Sequence, residues 1–190
     1  RVASTVKKIL PGYGSFQIMV GQTVDLLSDT DDYIALHVAA NILGGGMTAR
    51  LMHTVRELRG LGTYGIYAYM QTVSPKTPAI FCISGTFGPA YIKEGMECTK
   101  TLLDEWQTHG ITQRELLLAK ERLIGSRIIS NNTVDNLHSN AIKCIMSQHH
   151  PKEAFDKYKQ RVQQLTVENV NAALAKYIDT STMTSVIVGP

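Results

Sequence analysis

The sequence predicts an α+β fold, with one sheet and a set of helices forming a single domain over residues 1–190. Three observations carry this. Strand-type patterns fill much of the first ninety residues, apolar residues recur at helical spacing from Pro89 onward, and Val186-Ile187-Val188 closes the chain as a strand. With no internal repeat, low-complexity tract or linker, one sheet backed by helices is the economical arrangement.

The elements follow in order. Phe16, Ile18 and Val20 alternate with Gln17, Met19 and Gly21 after the Pro11-Gly12 turn signal, the pattern of a half-buried strand. Ser28-Asp29-Thr30-Asp31 is a cluster of cap-forming residues, and Ile34, Val38 and Ile42 with Leu36 and Leu43 predict a helix behind it. Gly44-Gly45-Gly46 ends that helix. A second helix is expected from Thr48 to Leu58, and Gly60 and Gly62 lead into a tyrosine-rich strand, Tyr64 to Thr72. Ser74-Pro75-Lys76-Thr77-Pro78 reads as a turn, so Ile80–Ile83 should pair back in an antiparallel hairpin.

Ile92, Met96, Thr99, Leu103 and Trp106 then define a helix stopped by Gly110. Thr112-Gln113-Arg114-Glu115 fits a capping box, in which the hydroxyl and the carboxylate each satisfy an orphan backbone N–H, with Leu116, Ala119, Leu123, Ile124 and Ile128 as the stripe behind it. Three further stripes predict helices: Val134, Leu137, Ala141 and Ile145; Phe155, Tyr158, Val162 and Leu165; and, after a Thr166 cap, Val167, Val170, Leu174 and Tyr177.

Composition limits the function classes. At 44% apolar and 18% charged the 190 residues can bury a core without disulfide staples. The net charge is only +3 and the basic residues are scattered, so no nucleic-acid footprint is indicated. Cys82, Cys98 and Cys144 lack C-x-x-C spacing and read as small core hydrophobes, not a disulfide framework. No run approaches the ~18 apolar residues of a membrane span, and no signal segment opens the chain. It begins at Arg1, which reads as a domain excised from a longer chain or a processed product.

Catalytic constellations are not visible. A peptidase zinc site needs two His at i and i+4 on one helical face with a nearby carboxylate. His37, His53, His109 and His138 are isolated, and the adjacent His149-His150 would point about 100° apart on a helix, so His149-His150-Pro151 is expected in a turn before one. There is no G-x-S-x-G elbow. Gly44-Gly45-Gly46-Met47-Thr48 lacks the Lys of a phosphate loop and the spacing of a dinucleotide turn, which favours a tight bend or a close backbone contact.

More specific is Ile42-Leu43-Gly44-Gly45-Gly46-Met47-Thr48-Ala49-Arg50-Leu51, followed by Val55-Arg56-Glu57-Leu58-Arg59-Gly60-Leu61-Gly62-Thr63-Tyr64. Together with Gly110–Leu116, Ala119-Lys120, the Leu165–Val170 helix start and the closing Val186–Pro190, it resembles the pitrilysin and mitochondrial-processing-peptidase family of zinc peptidases over essentially the full chain. The resemblance is to the second, non-zinc-binding domain. It implies a two-layer sheet-and-helices fold of the LuxS/MPP-like metallohydrolase type with a largely antiparallel sheet. It also implies that the His-x-x-Glu-His zinc motif and the general base belong to another domain or subunit of the same family, leaving this domain without a metal of its own.

Two substrate-binding residues are implied by that resemblance, Arg56 and Tyr64, which would hold the substrate backbone. The family pattern leaves six residues between them and this chain has seven, so Thr63 is an alternative occupant of the tyrosine position. An Arg fork and a phenol can both donate hydrogen bonds to a peptide carbonyl or to the oxyanion that develops from it. The implied function is the non-catalytic half of a zinc-dependent endopeptidase that encloses an unstructured peptide, with the Tyr64–Tyr69 segment offering a sheet edge for strand addition. The alternative is a catalytically inactive structural or partner subunit. By analogy with bacterial processing peptidases, the bacterial periplasm is an expected setting.

Overall fold

Thr30 is the residue at which the chain stops being extended and becomes helical. Its hydroxyl accepts from the Tyr33 N–H at 3.2 Å, and Asp31 and Asp32 put negative charge in the first turn, where the helix dipole favours it. The computed structural model describes residues 3–74, 76–130, 132–146 and 151–190, with the side chains of residues 63, 64, 143, 146, 151 and 152 outside that description. The expected helix after Thr30 is α1, Asp31–Gly44, and it is buried almost all round.

Five strands form one sheet: β1 (Ser4–Ile9), β2 (Phe16–Val24), β3 (Gly62–Gln71), β4 (Ala79–Phe87) and β5 (Thr184–Gly189). Their spatial order is β1-β5-β2-β4-β3. The β3–β4 hairpin is antiparallel as its turn signal implies, and β2 pairs antiparallel with both β4 and β5. The sheet is nonetheless mixed, because β1 runs parallel to β5. β1 is absent from the sequence reading for a physical reason: all six of its residues are exposed, so no face of it needed apolar alternation.

Besides α1 the helices are α2 (Ile92–His109), α3 (Gln113–Ser130), α4 (Val134–Met146), α5 (Pro151–Gln164) and α6 (Val167–Tyr177). Ile18, Val20, Ile66, Ala68, Phe81, Ile83 and Phe87 point from the sheet into the core shared with Leu36, Leu43, Leu103, Trp106 and Leu174 of the helices. Gly110 ends α2 with φ +69°, and the capping box before α3 forms, Glu115 N–H donating to the Thr112 hydroxyl at 3.3 Å and Thr112 N–H to the Glu115 carboxylate at 2.8 Å. Thr166 and Asn169 make a second box at α6. Cys98 is a core residue as expected, Cys82 is buried on the opposite face of the sheet beside Gly21 and Tyr69, and Cys144 is only partly buried. The expected turn at His149-His150 lies outside the described residues.

The triple glycine combines both expected uses, a close contact at Gly44 and a bend at Gly45 and Gly46. Gly44 is the last residue of α1, and a Cβ there would collide with the backbone nitrogen of Ala68 on β3. Asn41, one turn earlier, receives Arg122 of α3 on its side-chain oxygen at 3.1 Å and on its main-chain oxygen at 3.0 Å, which ties α3 to the same end of α1.

On the outer side of α1, His37 lies between Tyr33 (ring centroids 6.3 Å apart, stacked) and Tyr158 of α5 (6.4 Å, edge-on), with the Arg127 guanidinium 5.5 Å from the Tyr158 ring. Burial first, and the Arg127 charge second, push the His37 pKa below the usual value of 6.5. The unfolded chain therefore binds more protons than the folded one once the pH falls below about 6.5, and stability declines from there downward. Denaturant melts at pH 7.5 and pH 5 should show this loss in the wild type and a smaller one in His37→Gln; equal losses would remove His37 from the account.

Candidate functional site

The motif-bearing segment starts where α1 stops. After Gly45 and Gly46 and a short turn, helix resumes at Arg50 and runs to Leu58, close to the Thr48–Leu58 expected. Leu51, Met52 and Val55 are fully buried and anchor one side of it, leaving Arg56, Glu57 and Leu58 toward the surface. The sequence does not announce that Met52–Leu58 adopts π geometry, a widened form that is frequent at functional sites.

Arg50 holds the start of this helix in place. Its Nε and Nη2 donate to the two carboxylate oxygens of Glu115 at 2.6 and 2.7 Å, and Nη2 also donates to the Gly110 carbonyl at 2.9 Å. Burial alone would raise the Glu115 pKa, but hydrogen bonds from Arg50 and Thr112 together with the Arg50 charge hold it below the usual carboxylate value. Glu115 thus serves both its own cap and the Arg50 clamp. Only the cap was legible, because the second partner lies 65 residues away.

Arg56 itself has a side chain 35% exposed and pairs with Glu57 at 3.1 Å. Its carbonyl accepts from Gly60 N–H at 3.0 Å, and Leu61 N–H donates to the Val55 carbonyl at 2.9 Å. Gly60 turns the chain with φ +62°, a left-handed conformation that favours glycine. Arg59 meanwhile reaches Glu94 of α2 at 2.7 Å. The chain then enters β3 at Gly62 beneath the Arg56 stem, since a Cβ on Gly62 would lie 3.8 Å from that of Arg56.

β3 is irregular at this point. Gly62 faces Phe87 and Ile66 faces Gly85, so four steps along β3 oppose two along β4. A bulge of this kind absorbs added residues without shifting the rest of the strand, and it coincides with the seven-residue spacing between Arg56 and Tyr64. Thr63 and Tyr64 both belong to the bulged stretch, and their side chains lie outside the described residues. Beyond it, Tyr67 is 46% exposed and its ring folds over Gly65, where a Cβ would stand 2.7 Å from the phenolic oxygen. Tyr67 was read only as one of several strand aromatics.

β3 is an edge strand: among the described residues its only strand partner is β4. Among the same residues no three His, Cys, Asp or Glu side chains converge closely enough to hold a metal ion, so the described residues present no zinc site.

A family model described as the peptidase M16 inactive domain matches residues 3–123, more than half of the chain. The chain belongs to this family. The uncharacterized zinc protease YmxG of Bacillus subtilis is 28% identical over 157 residues, covering 82% of this chain and 37% of that protein. A zinc protease of Mycobacterium bovis is 26% identical over 162 residues, covering 82% and 34% respectively. The chain therefore spans little more than a third of the curated relatives it matches.

The same M16 inactive-domain fold is present in a crystal structure of such a domain from Pseudomonas fluorescens, with TM-score 0.85 and 27% identity over 100% of this chain and 43% of that one. The periplasmic protease PqqL of Escherichia coli shares the fold at TM-score 0.76 and 19% identity, over 100% of this chain and 21% of its own. The zinc-peptidase resemblance read from the motifs is thus correct at the level of family and fold. In this M16 inactive domain, Arg56 stands at the mouth of an open-edged strand, and the backbone of Tyr64 enters that strand through the bulge.

Proposed function

We propose that this chain is the non-catalytic half of a zinc-dependent metalloendopeptidase, one domain that closes over an unstructured peptide while zinc and general base come from another domain or subunit of the family. The observation that carries the reading is the position of Arg56 beside an edge strand whose outer side meets no other strand among the described residues. A peptide added along β3 would find main-chain donors and acceptors with little demand on its sequence. The partly exposed Arg56 fork would sit at the strand entrance, able to donate to a substrate carbonyl.

The test mixes the chain with the zinc-bearing half and an unstructured fluorogenic peptide. Cleavage is expected only in the mixture, is lost with a chelator, and falls about 10²–10³-fold with Arg56→Ala if the guanidinium stabilises developing oxyanion charge. Arg56→Lys should recover part of the rate, because an ammonium keeps the charge and lacks the fork. A mixture that cleaves equally well with Arg56→Ala would instead favour the structural-subunit reading.

A further inference from the structure

Among the described residues the helices pack on one face of β2, β3 and β4 and leave the opposite face of the sheet bare. Strand register sets Val6, Val186, Met19, Ser84 and Tyr67 in one row across all five strands of the bare face. Val6 is 53%, Met19 47% and Tyr67 46% exposed, high values for apolar side chains in so regular a position. The adjoining row brings Val188, Gln17 and Thr86 to the same face. The one charged side chain in these two rows is Lys8, at the far edge beside Val188.

Between Met19, Tyr67, Thr86 and Val186, over the side-chain-free Gly65, lies a hollow of about 450 Å³. It crosses β5, β2, β4 and β3. Gln17, Ser84, Thr86 and Tyr67 line it with an amide and three hydroxyls, and none of the four makes a side-chain hydrogen bond within the described residues.

We infer that this face is a binding site for an extended, uncharged peptide segment with apolar side chains, laid across the strands. Four strands at ~4.8 Å spacing give a width of roughly 14 Å, which about four extended residues fill. The composition of the face selects that occupant. A charged segment would lose its hydration and meet no counter-charge, while an apolar helix layer would strip water from Gln17, Ser84, Thr86 and Tyr67 and offer them nothing. A peptide main chain supplies N–H and C=O groups to those four, and its small apolar side chains suit Met19, Val186 and Val188. The inference rests on the proposed peptide-holding role and specifies which peptides are held; the bare face ends at β3, next to the strand edge and Arg56.

The test is the fluorescence anisotropy of two labelled, unstructured decapeptides with the 190-residue chain: one of Gly, Ser, Ala and Leu, and one with two leucines replaced by glutamates. The uncharged peptide should bind at least about tenfold tighter, and Met19→Lys should weaken it about tenfold, with Met19→Leu close to wild type. Met19 is already half exposed, so the lysine variant should fold, and matching circular dichroism checks this. Equal binding of both peptides, or unchanged binding in Met19→Lys, overturns the inference. So does concentration-dependent self-association that Met19→Lys abolishes, because the occupant would then be a second copy. Binding that depends on Met19 in a chain whose mixture never cleaves would keep the face and reject the peptidase-half role. Cleavage that depends on Arg56 with no effect of Met19→Lys would do the reverse.

Discussion

Trp106→Ala is expected to cost about 3–5 kcal/mol of stability, lowering the thermal midpoint by roughly 6–20 °C. Trp106 is fully buried and stacks on Phe81 of β4, with ring centroids 5.4 Å apart and 18° between planes. It is therefore a fully buried contact between α2 and the sheet, and its removal leaves a large cavity against an aromatic that cannot collapse into it. Among the described residues the buried indole N–H meets no acceptor. Trp106→Phe should accordingly cost much less than the alanine variant, because it keeps the stack and removes a polar group that burial penalises. Urea melts of the two variants decide the matter; an alanine variant within about 1 kcal/mol of wild type would mean that the helix layer is held elsewhere.

Gly44→Val should be comparably severe, about 3 kcal/mol or more, with little folded protein recovered. The atom in the way is the Ala68 backbone nitrogen, fixed in the β3–β4 ladder and unable to rotate aside. Gly46→Ala is the matched control. Its nearest neighbour would be Arg122 Nη1 at 3.3 Å, the far end of a flexible side chain, so a change within about 0.5 kcal/mol is expected. If both substitutions cost the same, the glycine run serves the turn and not the contact between α1 and β3.

What the sequence made legible follows from what each element needs locally. The α1 start, the Thr112–Glu115 capping box, the Thr166 cap and the Gly110 stop are written within a few residues of where they act, because capping is a short-range hydrogen-bond problem. β2 buries one face and so carries alternation, while β3 shows as a tyrosine-rich run and β4 as a short apolar run after a turn. β1 buries neither face, and the parallel sense of its pairing depends on a partner near the other end of the chain. The π geometry of Met52–Leu58 accompanies buried anchors at Leu51, Met52 and Val55 and the Gly60 turn, and residue type alone does not distinguish it from an ordinary helix. Arg56 and Tyr64 came from resemblance, not from periodicity, and the bulge beside them reflects pairing with β4 that no local pattern encodes. The bare face was half visible: Gln17 and Met19 read as the outward side of a strand, but their alignment with Tyr67 and Val186 required the register.

The pairing of Ser4 with Thr184 spans nearly the whole sequence, and its consequence is one of timing. β2, α1, β3 and β4 lie within the first 87 residues and can assemble as soon as that much chain exists. β1 has no strand partner among the described residues until β5 is made, and at about 5–20 residues per second on the ribosome it waits roughly 10–35 seconds with its backbone unpaired. During that interval the growing chain carries, besides the outer edge of β3, two edges that β5 will later cover, β1 and the β5-facing side of β2. Pulse-labelled hydrogen exchange should find Val6 and Lys8 amides protected only after those of Ala68 and Ile83, and a chaperone that shields strands would meet this chain early.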